Sequence, residues 1–349
     1  MNPVGDNFPN WTYTSYEKIP ASLTQWQITE SEYRPFKKTD WLVTEKIHGA
    51  NFGIITNGIS LRFAKRKQFL QPGEDFFDYQ SLQDTLVSQV QEIFRILQTQ
   101  ILTLSKLYIY GELFGGEYPH PEVPAVSHLQ AVQTGVYYSP KIEFCAFDIA
   151  LVKQGNPPER VYLDYDQALK LFHQVGMMAA LPLFIGKYEE VLGYNIEFES
   201  IIPGALGLPE LPLVNKAEGV VIKPVKAIYI DTRKGRKRPI IKKKIPQFAE
   251  YKRFHQAQKW NYPTPLTQRL DISLEEELMQ EMLFLLTPTR LNNVISKFGR
   301  IIVNDRKQQQ QLVDLLVQDV WESFLEEYET INPALKGGVL APYRLKFSK

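Results

Sequence analysis

The chain has 349 residues, 44% of them hydrophobic and 23% charged, with 40 Lys or Arg against 39 Asp or Glu. Such values suit a globular protein of about two domains, and a net charge of +1 means that any nucleic-acid surface must be a local concentration of charge. The single cysteine, Cys145, excludes an intramolecular disulfide framework, and no apolar run approaches the ~20 residues of a membrane helix. The opening MNPVGDNFPNW lacks the basic-then-apolar pattern of a signal peptide, so the expected location is cytoplasmic, or nuclear in a eukaryote.

Strand patterns occupy 41–47 and 51–56 around a tight turn, Lys46-Ile47-His48-Gly49-Ala50-Asn51. Asn57-Gly58 then signals a two-residue hairpin into 59–64. From Leu82 to about Leu104 the apolar residues Leu86, Val90, Ile93, Phe94, Leu97 and Ile101 fall at helical spacing. Strand patterns return at 107–113, 143–152, 219–225 and 239–245, and Asp164 is placed to N-cap a helix ending near His173. Between 177 and 217, scattered Pro and Gly leave no readable period. Residues 1–252 therefore read as an α+β domain of mainly antiparallel sheets with helices, not an alternating doubly wound one. Residues 253–272 read as a linker, and Ser273 with Glu276 as a capping box opening a helix at 274–286. Helical patterns follow at 289–298 and 306–328, so 253–349 is expected to be a small all-helical domain.

Lys46 leaves a strand for a glycine-bearing turn, an arrangement that fixes an amine in space and is expected to let backbone approach a phosphate at Gly49. Lysine attacks phosphorus as a neutral amine; a half-exposed strand lysine before a hairpin is the other reading. Farther on, the planar fork of Arg66 suits a sugar hydroxyl or phosphate oxygen, or simply ends a strand in water. Glu112, in YGEL, suits a ribose hydroxyl or a metal-bound water, or a solvated strand end. Phe147 suits a purine stack or a core position, and Asp148 a metal or a turn cap. Glu218 beside Gly219, with a strand ending in Lys223, suggests a metal paired with a phosphate. Lys242 and Lys244 share one side of a period-two strand, where two ammonium groups repel unless an anion such as a triphosphate lies between them; a solvated basic edge strand is the alternative. Residues 226–253 carry eleven Lys or Arg against Asp231 and Glu250, which suits a polyanion-binding surface or, in RKGRKRP, an import signal. His120 and His128 lack zinc-ligand spacing.

The ordered set EKIHGANF, AKR…EDFF, YGELFGG, FCAFDI, AEGVVIKP and IKKK…FAE resembles the covalent nucleotidyltransferases, the ligases and mRNA capping enzymes. Within them the chain most resembles the RNA ligase 2 family, which seals nicks in duplex RNA. His48 stands where DNA ligases and capping enzymes usually carry aspartate, and TRLNNVISKFGR at 289–300 is similar to that family's helical domain.

The resemblance implies an ATP-grasp-like nucleotidyltransferase domain followed by a helical domain, with ATP and Mg²⁺ (or Mn²⁺) as cofactors. It implies that Lys46 becomes adenylylated, Glu45 and Asn51 flank the nucleotide, and Arg66 contacts ribose or the incoming phosphate. Glu112 would contact ribose, Phe147 would stack on adenine, and Glu218 would engage the metal. Lys242 and Lys244 would hold the α-phosphate with Lys223 in support, and Phe76 and Phe77 would touch nucleic acid. Arg290 and Asp319 match positions tied to recognition of RNA ends. The implied substrate is RNA with 3′-OH and 5′-phosphate ends, at nicks, handled by a monomer with no membrane partner. Ala50 departs from the family's frequent threonine. A DNA ligase, a GTP-using capping enzyme and a non-catalytic RNA-binding ligase fold are the alternatives.

Overall fold

A computed structural model describes residues 11–23, 26, 28–155, 160–232, 235–248, 282, 283, 285, 286, 288–299 and 305–331. The chain divides into two compact units, Met1–Gln247 and Phe248–Lys349. The expected linker at 253–272 and the capping box at Ser273 lie outside the described residues.

The first unit contains β1 (Trp41–Glu45), β2 (Ala50–Thr56), β3 (Leu61–Lys65), β4 (Gln68–Phe69), β5 (Leu104–Glu117) and β6 (Ser139–Lys153). It continues with β7 (Arg160–Tyr162), β8 (Pro182–Gly186), β9 (Gly219–Pro224), β10 (Ile230–Thr232), β11 (Gly235–Lys237) and β12 (Ile241–Lys244). Its helices are α1 (Glu30–Lys38), α2 (Gln83–Gln100), α3 (Tyr165–Gln174), α4 (Tyr188–Leu192) and α5 (Ile202–Ala205). One antiparallel sheet runs β4-β3-β2-β5-β6-β7 and another β12-β9-β1-β8, with β10-β11 a separate hairpin. The mixture of helices with antiparallel sheets is the α+β class.

Alternation along the strands sorts the side chains. Ala50, Phe52 and Ile54 of β2, with Leu107, Ile109 and Leu113 of β5, face the main core, where Leu86, Val90, Ile93, Phe94 and Leu97 of α2 cover them. The opposite face carries Ile55, Tyr108 and Tyr110 together with Tyr16 and Phe147. By the same period it carries Asn51 and Glu112, which are paired in register across β2 and β5. In the smaller sheet, Trp41, Val43, Val220, Ile222 and Ile241 form a second core with Phe36 of α1 and Tyr188 and Val191 of α4.

Several expectations shift. The first strand ends at Glu45, although the Lys46 N–H still donates to the Gly219 carbonyl at 2.9 Å. The 57–60 hairpin loop is four residues long, because Thr56 pairs with Leu61 and Asn57 Oδ1 accepts from the N–H groups of Ile59 and Ser60. The long helix stops at Gln100, and Leu104 already belongs to β5. Asp164 sits at the N-cap of α3, but its carboxylate accepts from Ala227 N–H instead of capping the helix.

In the second unit, the described residues include α6 (Pro288–Phe298) and α7 (Arg306–Ile331). Arg290 Nη1 of α6 donates to Asp319 Oδ2 (2.8 Å) and Ser323 Oγ (2.8 Å) of α7, and Lys297 Nζ reaches Asp319 Oδ1 at 2.6 Å.

Candidate active site

The register of the smaller sheet decides which charges meet. Lys242 lies opposite Val221 and Lys244 opposite Gly219, while β1 sets Leu42 against Lys223 and Thr44 against Val221. Directly opposed residues share a face, so Lys223, Lys242 and Lys244 line the side opposite the second core. At this edge Glu218 is the hub. Its Oε2 accepts from Lys46 Nζ at 2.5 Å and lies 3.3 Å from His48 Nδ1, and its Oε1 lies 2.7 Å from Lys244 Nζ. Burial, at 1% exposure, would raise the carboxyl's proton affinity, but Lys46, His48 and Lys244 outweigh it and hold Glu218 well below the usual carboxylate range. Lys46 keeps 20% of its side chain open and Lys244 17%, so the cluster is reachable.

The larger sheet supplies the facing wall. Burial pushes the Glu112 carboxyl up to about 7, although Lys46, Arg66 and a hydrogen bond from Asn51 pull the other way. Asn51 Oδ1 is buried with no partner among the described residues, an orphaned acceptor beside Glu112. Arg66 is half-buried and its charge reaches Glu112.

Deeper in, Lys223 Nζ donates to the Phe147 carbonyl at 2.6 Å and to Asp148 Oδ1 at 3.3 Å, joining the two sheets. Its ammonium lies 3.6 Å from the Tyr165 ring centroid. Burial lowers the Lys223 proton affinity to about 8, with Asp148 opposing. Asp148 also accepts from Tyr16 Oη (2.5 Å) and Arg238 Nη2 (3.2 Å), and Arg238 Nε donates to Glu17 Oε1 at 2.5 Å. Phe147 packs edge-on to Tyr16, ring centroids 4.9 Å apart. Asp148, read as a metal ligand or turn cap, is therefore the centre of a buried ionic network. Arg238 and Tyr16 escaped sequence reading, since Arg238 sits in a basic run that reads as a polyanion-binding surface or an import signal.

Other expected residues take different places. The Glu45 side chain lies on the second-core face, where Val220 opposes it, and accepts from Ser200 Oγ (2.7 Å) and Ile201 N–H (2.9 Å). It does not flank the Lys46 cluster. Phe76 and Phe77 are 0% and 3% exposed in the main core, so neither presents a ring to nucleic acid. Arg290 is 3% exposed and ties α6 to α7, which removes it from an open surface; Asp319 is its partner. A side chain at Gly49 would meet the Leu113 carbonyl oxygen at 2.1 Å, so strand packing by itself requires glycine here. The basic stretch is partly committed to the fold: Arg238 is buried, Lys243 donates to the Leu192 carbonyl, and Lys226, though exposed, pairs with Asp164 and Asp166.

Comparison with known proteins identifies the family. Residues 39–244 match the family model for RNA ligase, and residues 271–339 match that for the T4 RNA ligase 2 C-terminal region. RNA-editing ligase 2, mitochondrial, of Trypanosoma brucei brucei is 31% identical over 319 residues, covering 81% of this chain and 76% of that protein. RNA-editing ligase 1, mitochondrial, from the same organism is 29% identical over 328 residues, covering 82% and 70%. A solved Naegleria gruberi RNA ligase with PPi aligns over 70% of this chain at 13% identity and a TM-score of 0.42; the chain spans 60% of that structure's length. With one model covering more than half of the chain and the second following it in order, the chain belongs to the RNA ligase family, in its RNA ligase 2 branch.

Proposed function

We propose that the protein, by family an ATP-dependent RNA ligase, joins RNA 3′-OH and 5′-phosphate ends at nicks in duplex RNA through a lysyl–AMP formed on Lys46. The observation that carries this reading is the convergence of Lys46, His48 and Lys244 on one buried carboxylate, Glu218, in a reachable edge of the first unit. Of the two lysines, Lys46 is the one on the turn that runs into β2, where Asn51 pairs with Glu112.

The reaction runs in three steps. The Lys46 amine leaves Glu218, loses a proton and attacks the α-phosphorus of ATP in line, with pyrophosphate departing. AMP passes from Lys46 to the RNA 5′-phosphate, and a neighbouring 3′-hydroxyl then displaces AMP to form the phosphodiester. Lys242 and Lys244 stabilise charge on the phosphoryl oxygens, an electrostatic contribution of several kcal/mol in a water-poor cleft. The ribose end fits Glu112 and the orphaned Asn51 acceptor, and the base fits the exposed side of Phe147, which Lys223 holds by its carbonyl.

A divalent metal, when bound, neutralises phosphate charge. Among the described residues no group of three or more His, Cys, Asp or Glu could cage one. The donors present are Glu218 and Glu112 together with phosphate oxygens, a set that suits Mg²⁺ held by one or two carboxylates and its substrate. Arg66 is assigned to ribose or the incoming phosphate. A monomer in the cytoplasm completes the proposal; the trypanosome relatives are named mitochondrial, and fractionation of the native protein would decide between the two.

With α-labelled ATP and Mg²⁺, label should appear on the full chain and be lost in Lys46→Ala. Equal labelling of the alanine variant would refute the assignment. Nicked RNA against nicked DNA, and ATP against GTP, separate the RNA-sealing reading from a DNA ligase or capping enzyme.

A further inference from the structure

The turn that carries Lys46 is held at both ends by residues far away in sequence. Tyr138, the residue before β6, is 1% exposed and sits edge-on to Phe114, centroids 5.2 Å apart. Its hydroxyl oxygen accepts from the His48 backbone N–H at 2.9 Å. Burial and the nearby charges of Glu45, Glu218 and Glu112 keep this phenol protonated. Next to it, Tyr137 is clasped by Asn215, which is 7% exposed: Oδ1 accepts from Tyr137 N–H at 2.9 Å and Nδ2 donates to the Tyr137 carbonyl at 2.7 Å.

Asn215 lies in the segment that runs directly into Glu218. That segment is pinned in turn: Ser200 N–H donates to the Asn215 carbonyl, Ala217 N–H to the Phe198 carbonyl, and Asn215 N–H to Glu199 Oε2. Ser200 Oγ and Ile201 N–H then hold the Glu45 carboxylate. A closed circuit of hydrogen bonds thus runs from Glu45, before the nucleophile, through 198–201, Asn215 and Tyr137–Tyr138, and back to His48, after it. Glu218, which receives Lys46 Nζ, leaves the same segment.

We propose that Tyr138 and Asn215 are positioning residues for lysine adenylylation, acting through the His48 backbone to hold the Lys46–Glu218 geometry. Neither side chain touches the reacting atoms. An ordinary buried tyrosine would only stabilise the fold; this one accepts from the backbone of the turn whose placement sets the attack angle. Misplacing a reacting group by ~1 Å costs about 100-fold in rate, so a partial slackening is expected to cost about tenfold.

This inference rests on Lys46 as the nucleophile, and one experiment keeps the two apart. Single-turnover labelling of the full chain with α-labelled ATP is followed over a range of ATP concentrations for the wild type, Lys46→Ala, Tyr138→Phe, Asn215→Asp and the Tyr138→Phe/Asn215→Asp pair. Tyr138→Phe removes one oxygen, and Asn215→Asp sets a carboxylate against the Tyr137 carbonyl. The expected result is a maximal rate lowered about tenfold or more in each, with half-saturating ATP within about twofold of wild type. The pair should be little worse than the poorer single variant, since both break one circuit. An unchanged maximal rate in Tyr138→Phe, a parallel shift of half-saturating ATP, or losses that multiply would overturn the proposal. Should Asn215→Asp fail to fold, Tyr138→Phe decides alone. Labelling of Lys46→Ala would instead overturn the functional reading beneath it.

Discussion

Gly49→Ala tests how tightly the nucleophile turn is built. A Cβ at this position would stand 2.1 Å from the Leu113 carbonyl oxygen, 2.8 Å from Glu112 Cγ and 3.1 Å from the Leu113 carbonyl carbon. Ordinary contact with a carbonyl oxygen needs about 1 Å more, and side-chain motion cannot supply it because the obstacle is backbone. Leu113 is fully buried and paired on both sides, with Ala50 of β2 and Phe144 of β6. The central strand therefore stays and the turn moves. Lys46 lies three residues before Gly49, so a displacement of about 1 Å reaches the amine and its 2.5 Å contact with Glu218. The expected outcome is a loss of ~100-fold in single-turnover adenylylation and about 1–3 kcal/mol in stability from overpacking. Gly204→Ala is the control, since a Cβ there meets nothing within 4 Å. The assay is labelling with α-labelled ATP alongside denaturant unfolding. Gly49→Ala labelling at the wild-type rate with an unchanged midpoint would refute the packing argument.

Two further predictions concern residues whose place differs from the sequence expectation. Phe76 is fully buried, with its ring stacked near Phe52 at 6.3 Å and edge-on to Phe77 at 5.1 Å. Phe76→Ala should cost about 3–5 kcal/mol in unfolding free energy and leave the affinity of the still-folded fraction for nicked RNA unchanged; lost affinity with an unchanged midpoint would count against it. Burial raises the Glu45 carboxyl to about 7, with Ser200 and Ile201 opposing. Its protonation-linked stability is whole below about pH 4.3, the unfolded value, and is lost as the pH rises through about 7. Glu45→Gln does not titrate, so its stability relative to the wild type should rise by about 3 kcal/mol between pH 4 and pH 8, and a gap independent of pH would show the shift to be absent.

Much of the first unit was legible because its signals are local. Period-two runs announced β2, β9 and β12, and helical spacing announced α2; each depends on neighbours within one element. The Lys46 turn, Glu218 and the Lys242–Lys244 pair could be singled out because nucleophile, carboxylate and cations are chemistry visible in residue type. Between 177 and 217 that method failed. The strand β8 and the segment holding Asn215 take their form from partners elsewhere in the chain, not from a repeating pattern of their own.

What sequence alone determined is therefore the inventory and its order: a lysine on a turn, carboxylates beside glycines, and two same-side lysines on β12; that Glu112 lies within β5 and not at its end was decided by the pairing with β2 and β6. Tertiary structure decided which face each one meets. Glu45 and Lys46 are neighbours, yet the strand pleat sends the first into Ser200 and the second to Glu218. Phe76 and Phe77 look like an offered aromatic pair until α2 and the six-stranded sheet close over them. Asp148 becomes a structural anion only when Arg238 arrives from 90 residues away, and Tyr138 reaches His48 over the same sequence separation. The physical reason is range. Alternation is fixed by bonds between neighbouring residues, whereas burial, ion pairing and the aim of a nucleophile depend on contacts that exist only once distant strands are in register.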